Sequence, residues 1–401
     1  MRIPYALAVY GKEERKAVAD VLRNPLRIVP GERSRIFESR IAALFDKKHG
    51  IMVNSGSSAN LLAVDSLALP KGSEVLTPAL TFATTLAPLI QLGLTPVLAD
   101  VVPGTYQINI KQLESRITKR TKAIMVPLLI GNVPDMVKLR AIAKKHKLFF
   151  IEDSCDALGA KFAGRPTGYY SDVSTTSFYA SHIITAAGSG GMVSFRDQNL
   201  ARRALIRANW GRESTLFGLF EKSEDLRKRF AGVIDGEPYD AKFIFSELGY
   251  NFQSSELNAA FGLEQLRRLP VFFAKRERNF AALLSFFKKY ERFFVLPEQD
   301  KKTKTAWLAF PLTIRENAPF TRHKITAFLE AQNVQTRPIF TGNVMRQPAF
   351  KGLLEKRNEK YNFPVADGIM RRGFLIGCHH GLGTAHLKRL QSVFKTFLDR
   401  Y

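Results

Sequence analysis

Several short stretches of this chain hold residue types that could do chemistry together. Asn54-Ser-Gly-Ser-Ser58 lies where an apolar run gives way to a helical pattern. Glycine permits a tight turn there, and the N–H groups and positive dipole end of a helix N-terminus favour a phosphate. Gly56, Ser57 and Ser58 are the candidates, although the same pattern equally suits an ordinary helix cap. Asp153 ends the apolar run Leu148-Phe-Phe-Ile-Glu-Asp153, where a carboxylate either caps a strand or enters a site. Phe82, in Thr81-Phe-Ala-Thr-Thr85, offers a ring that can stack on a planar ligand or fill a core. His182 has the one side chain whose unperturbed pKa, about 6.5, suits proton transfer at neutral pH, though a lone histidine is more often structural. Arg337 suits a carboxylate or phosphate.

The elements that must position these residues follow from periodicity. Helical patterns at Glu13–Leu22 and Arg33–Phe45 precede a strand at Gly50–Val53 and a helix from about Ser58 to Leu67. Strands at Glu74–Thr77, Pro96–Ala99, Ala123–Val126 and Leu148–Glu152 then alternate with helices at Thr84–Leu92 and Met136–His146. Further strands lie near Val173–Phe178 and Gly191–Phe195. This predicts an α/β unit with a mostly parallel sheet covered on both faces. After Asn251 the character changes. Ser254–Leu269 reads as a helix broken by Pro270, and Phe273–Tyr290 as another. A strand at Trp307–Ile314 and helices at Arg322–Gln332 and Ala385–Leu398 complete a smaller α+β unit. The length of 401 residues favours two domains, placed at 1–253 (with an N-terminal arm) and 254–401.

Composition narrows the function classes. The net charge of +24 invites a nucleic-acid reading. The basic residues, however, fall in scattered clusters such as Lys144-Lys-His-Lys147, and no nucleic-acid-binding motif accompanies them, so solvated faces are the better reading. No segment approaches the ~20 apolar residues of a membrane span, and the N-terminal apolar stretch is too short for a signal peptide. The expectation is a cytoplasmic protein without membrane insertion. Two cysteines, Cys155 and Cys378, exclude a disulfide framework or a four-cysteine metal site within one chain.

Ser177-Phe-Tyr-Ala-Ser-His182-Ile-Ile-Thr-Ala-Ala-Gly188-Ser-Gly-Gly-Met-Val193, Asn54–Asn60 and Ile151-Glu-Asp-Ser-Cys-Asp-Ala-Leu-Gly159 together resemble the DegT/DnrJ/EryC/StrS-type sugar aminotransferases. These are built on pyridoxal 5'-phosphate (PLP). Asn209-Trp-Gly-Arg212, Gly249-Tyr-Asn251 and Gln335–Pro348 extend the resemblance in order over nearly the whole chain. It implies a fold-type I PLP enzyme with a large mixed-sheet α/β domain, a smaller C-terminal α+β domain, and a homodimer with sites at the subunit interface. It also implies that Asp153 holds the pyridine nitrogen protonated, Phe82 stacks on the ring, and Ser177 bonds the cofactor phosphate. Asn251 would reach the phosphate of the neighbouring subunit.

At the position of the family's Schiff-base lysine stands His182, which has no primary amine. No lysine occurs between Lys161 and Lys222 to replace it. Asp156, in the cofactor shell, stands where the aminotransferases usually carry His or Gln. Both features resemble the histidine-bearing branch of nucleotide-sugar 3-dehydratases. Gly188-Ser-Gly-Gly191 and an unpaired histidine depart from that branch's usual pattern. The resemblance implies pyridoxamine 5'-phosphate (PMP) as working cofactor and a nucleotide-linked 4-keto-6-deoxyhexose as substrate. His182 would take a proton from the cofactor's methylene carbon, and the hydroxyl at carbon 3 would leave as water. A [2Fe–2S] cluster takes four thiolates, and the stretch after Asn209-Trp-Gly-Arg212, where cluster-bearing members place cysteines, reads Glu213-Ser-Thr-Leu-Phe. The expectation is therefore no iron–sulfur cluster, with PMP regenerated from glutamate held by Arg337, in deoxysugar synthesis of lipopolysaccharide type. A non-catalytic member that binds a sugar nucleotide or a partner is the alternative; retention of Asp153, Ser57 and Phe82 argues against it.

Overall fold

All five residues of the strand Glu74–Pro78 are buried, and so are most residues of Thr95–Ala99 and Phe149–Asp153. Strands buried along their length need cover on both faces. The computed structural model describes the backbone of residues 1–401 and every side chain except those of Phe220 and Glu221. In it, β1 (His49–Val53), β2 (Glu74–Pro78), β3 (Thr95–Ala99), β4 (Thr121–Pro127), β5 (Phe149–Asp153), β6 (Val173–Ser177) and β7 (Gly191–Phe195) form one sheet in the order β1-β7-β6-β5-β4-β2-β3. Neighbours from β3 through β6 are parallel, while β7 runs antiparallel to β6 and β1. The cover comes from α1 (Lys12–Leu22), α2 (Glu32–Leu44), α3 (Gly56–Ser66), α4 (Ala83–Gln91), α5 (Met136–Lys145) and α6 (Gln198–Ala208). Leu62, Ala63 and Leu89 close one face of the sheet, and Leu139, Phe150 and Phe162 the other.

The expected break at Pro270 does not occur. One helix, α7, runs for 33 residues from Glu256 to Lys288 with Pro270 inside it. Pro270 is exposed, so its ring lies on the solvent side, while Leu269 and Phe272 on either side are buried. An internal proline costs about 3 kcal/mol, and burying two such side chains returns roughly 1.5–3 kcal/mol each. Packing along α1 and α2 adds to this. Tertiary burial therefore overrides the local breaker.

The far half of α7 enters a second core. Leu283 and Phe287 pack there with Phe294, Phe310 and Phe394. This core lies on a four-stranded antiparallel sheet of β8 (Phe294–Val295), β9 (Ala309–Ile314), β10 (Thr336–Pro338) and β11 (Gly373–Gly377), ordered β8-β9-β11-β10. Helices α8 (Arg322–Ala331), α9 (Pro364–Arg372) and α10 (Thr384–Leu398) complete it. The start of the chain is tied to it as well. Ile3 makes a parallel bridge with Val334 and is buried in this core, and the Tyr5 N–H donates to Gln335 Oε1 at 3.1 Å. Among the described residues, no helix is long and apolar enough to cross a membrane.

Because Pro270 removes a backbone donor at an exposed position, Pro270→Ala is expected to stabilise the protein by about 1–3 kcal/mol. The gain should show as a higher urea midpoint with an unchanged slope. An unaltered or lower midpoint would mean that α7 needs the proline's local geometry.

Candidate active site

The carboxyl ends of parallel strands leave a crevice where ligands collect, and here β4, β5 and β6 open on a cavity of about 470 Å³. At one end lies the N-terminus of α3. Ser55 caps it, its Oγ accepting the Ser58 N–H at 3.1 Å, and the Ser58 hydroxyl donates to Asn54 Oδ1 at 2.6 Å. Ser58 is thus drawn onto the cap and does not line the cavity, whereas Gly56 and Ser57 do. The Ser57 hydroxyl donates to Thr84 Oγ1 at 2.9 Å, and Ser177 stands opposite Gly56. A Cβ on Gly56 would sit 2.7 Å from Ser177 Cβ and 2.9 Å from Cys155 Sγ, so only glycine brings these walls so close. Hydroxyls of Ser57, Thr84 and Ser177 converge with a helix N-terminus, a donor set suited to phosphate.

Across the cavity floor, Asp153 ends β5 and is 6% exposed. Its Oδ2 accepts from Asn60 Nδ2 at 2.8 Å and Thr85 Oγ1 at 2.7 Å, and its Oδ1 from the Cys155 N–H at 3.1 Å. Asn60 is oriented in turn by the Thr175 hydroxyl, which donates to its Oδ1 at 2.6 Å. These donors satisfy a carboxylate that would otherwise be costly to bury. Phe82 is 50% exposed at the cavity, its ring edge-on to Phe340 at 5.9 Å. It is not the core residue that its apolar character alone would suggest.

His182 lies in the loop after β6, with its side chain 16% exposed and its Nδ1 3.6 Å from Asp156 Oδ1. Burial, helped by the Arg276 cation and opposed by Asp153, pushes its pKa down to about 4. The unperturbed value near 6.5 expected from sequence is therefore corrected by desolvation. At neutral pH the imidazole is uncharged and able to accept a proton. Asp156, buried beside it, takes the Ile130 N–H on Oδ2 at 2.9 Å, and burial pushes its pKa up to about 7. Arg276 of α7 is 1% exposed and, among the described residues, makes no ion pair; its guanidinium donates to the carbonyls of His182, Trp307 and Leu308 and to His380 Nδ1. At the opposite rim, the Arg337 guanidinium lies 5.5 Å from the Tyr5 ring and donates to its neighbour's carbonyl on Thr336. It too has no acidic partner among the described residues.

The structure thus brings Gly56, Ser57, Phe82, Asp153, Asp156, Ser177, His182 and Arg337 to one cavity. Ser58 and Asn251 stand outside it; Asn251 is exposed and pairs by backbone with Asn209. Sequence reasoning missed several residues with a place here, Thr84 among them. Asn60 and Thr85 were quoted within motifs, and their helical spacing from Gly56 and Phe82 was the signal available. Tyr5 and Arg276 gave none, since contacts across hundreds of residues deliver them.

Comparison with known proteins places the chain in a family. Residues 9–395 match the DegT/DnrJ/EryC1/StrS aminotransferase family. The chain is 37% identical to a dTDP-4-dehydro-2,6-dideoxy-D-glucose 3-dehydratase of Saccharopolyspora spinosa, over 94% of this chain and 82% of that one. It is 30% identical to a GDP-4-keto-6-deoxy-D-mannose 3-dehydratase of Yersinia pseudotuberculosis, over 98% of both. A crystal structure of GDP-4-keto-6-deoxymannose-3-dehydratase with a trapped PLP-glutamate geminal diamine superposes with a TM-score of 0.84 at 27% identity, covering 98% of this chain and 99% of that one. The chain therefore belongs to the DegT/DnrJ/EryC1/StrS family, with the PLP-dependent aminotransferase fold and the PLP or PMP cofactor that go with it.

Proposed function

We propose that this protein removes the hydroxyl at carbon 3 of a nucleotide-linked 4-keto-6-deoxyhexose, with PMP as cofactor and His182 as the base. One observation carries the reading: His182 stands in the cavity wall, and among the described residues that line the cavity there is no lysine. An imidazole cannot hold the cofactor as an imine, but it can move a proton.

The residues present fit the cofactor. Ser57, Ser177, Thr84 and the start of α3 suit its phosphate, Asp153 its ring nitrogen, and the half-exposed ring of Phe82 its pyridine face. When bound, the protonated pyridine supplies an electron sink at the carbon from which a proton is taken. Asp153, fixed by Asn60, Thr85 and the Cys155 N–H, keeps that ring nitrogen protonated. His182, held neutral by burial, takes up the proton. Arg337, without an acidic partner among the described residues, suits the carboxylate of glutamate, which would return the cofactor to PMP.

No iron–sulfur cluster enters this reading. Cys155 lines the cavity while Cys378 is buried in the second core, so the two thiols serve different parts of the fold. Exposed Asn251, outside this cavity and paired by backbone with Asn209, suits the site of a second copy in a homodimer. A cytoplasmic place in deoxysugar synthesis of lipopolysaccharide type accords with such a substrate.

Three outcomes are expected. Borohydride treatment of the PLP-loaded protein should leave the polypeptide mass unchanged, whereas a stable pyridoxyl adduct would place the cofactor on a lysine after all. In His182→Lys, the same treatment should give that adduct, and dehydration should fall by about 10²-fold or more as the imidazole gives way to an amine that is tied up in attachment. Finally, nucleotide-linked 4-keto-6-deoxy sugars, incubated with PMP-loaded protein and glutamate, should lose one water by mass spectrometry with repeated turnover and no reductase. Turnover that stops without an added flavin reductase, or stoichiometric iron in the protein, would overturn the cluster-free mechanism.

A further inference from the structure

The two ends of His182 are held by different parts of the fold, and the supports close on each other. Arg276 Nη2 donates to the His182 carbonyl at 3.3 Å, and its Nη1 to the Leu308 carbonyl at 2.9 Å. The Leu308 N–H donates to the Ile130 carbonyl at 2.8 Å, and the Ile130 N–H to Asp156 Oδ2 at 2.9 Å. Asp156 Oδ1 then faces His182 Nδ1 at 3.6 Å, completing a ring of contacts under the cavity. Ile130 holds its place with φ of 61°, a conformation strained for a β-branched residue and sustained by bonds on both of its polar groups. Within the ring, the Asp156 carboxyl is aimed at a buried imidazole nitrogen that has no hydrogen-bond partner among the described residues. Hydrogen bonds of catalytic groups are often long before ligand binds and tighten afterwards.

We infer that Asp156 is a positioning residue that keeps the proton of His182 on Nδ1 and so leaves Nε2 unprotonated toward the cavity. The inference rests on His182 being the base. It gives Asp156 a task apart from touching the cofactor: with one oxygen occupied by Ile130, only the other is free for the imidazole. A carboxylate that fixes the tautomer of a catalytic histidine is familiar from hydrolytic triads, and here it would serve proton abstraction from carbon.

The groups around the pair set its pH behaviour. Asp153 faces it from the end of β5, Cys155 from the turn that follows, Tyr179 from the loop after β6, Tyr5 from the N-terminal segment, and Arg276 from α7. Burial dominates and favours the neutral form of both partners. Above about pH 7, Asp156 is ionised and accepts from Nδ1–H. Below it, the protonated carboxyl donates to Nδ1, the ring proton moves to Nε2, and the basic nitrogen is lost from the cavity. Dehydration should therefore rise as pH passes upward through about 7, although His182 itself stays uncharged down to about 4.

The test is nitrogen-15 NMR of PMP-loaded protein carrying ring-labelled histidine. With seven histidines in the chain, the His182 signals are assigned by their loss in His182→Asn. At pH 8 the wild-type ring should carry its proton on Nδ1, and at pH 6 on Nε2. In Asp156→Asn, the amide oxygen can keep the Ile130 bond while the NH₂ faces Nδ1, so Nε2 should be protonated at both pH values. Single-turnover water loss at saturating PMP should then fall by about 10²–10⁴-fold. A wild-type ring protonated on Nε2 at pH 8 would overturn the assignment without need of any variant, as would an Asp156→Asn protein that keeps Nδ1–H. Dehydration persisting in His182→Asn would instead overturn the base reading on which it rests.

Discussion

The site depends first on one buried carboxylate. Asp153 is the last residue of β5, yet its two oxygens are held from three directions, by Asn60 on α3, Thr85 on α4 and the backbone turn at Cys155. Those bonds set both helix N-termini against the strand end, and with them Ser57 and Phe82. Remove the donors and a charge would be left buried without partners, a far larger loss than the bonds themselves are worth. The same carboxylate thus organises the pocket before any ligand arrives.

A second constraint is that the cavity has no complete wall of its own in the seven-stranded sheet. Arg337 and Leu375 come from the four-stranded sheet, Leu308 from the position just before its β9, and Tyr5 from the N-terminal segment tied to it. Helix α7 joins the two, packing on α1 and α2 at one end and carrying Phe287 into the second core at the other. Midway along it, Arg276 binds carbonyls on both sides of the junction. A kink at Pro270 would swing that residue away. The continuity of α7 is therefore a condition of the site's geometry.

The strands and the turns that follow them could be read from sequence because their signals are local. Apolar runs of five residues, a Ser/Gly turn before a helix and an Asp at a strand end carry their meaning within a few positions. What escaped was set at a distance. Pro270 reads as a breaker until the burial of Leu269 and Phe272 is known, and Ser58 reads as a phosphate ligand until Asn54 and Ser55 claim its hydroxyl and N–H. The pKa of His182 belongs in the same class. Its residue type predicts a group titrating near neutrality, but the surrounding protein removes the water on which that expectation rests.

That last displacement bears on why one pocket architecture can serve both aminotransferases and dehydratases. A buried position beside the Arg276 cation penalises any positive charge, so an amine placed at 182 would also be driven toward its neutral, nucleophilic form. The environment prepares an uncharged nitrogen base whichever residue supplies it. What the residue decides is whether that nitrogen can form a covalent bond to an aldehyde. A lysine can, and then shares its nitrogen between attachment and proton transfer. A histidine cannot; under the proposed dehydration its role would be proton transfer alone, and the orientation of its ring would be the quantity that the surrounding residues must control.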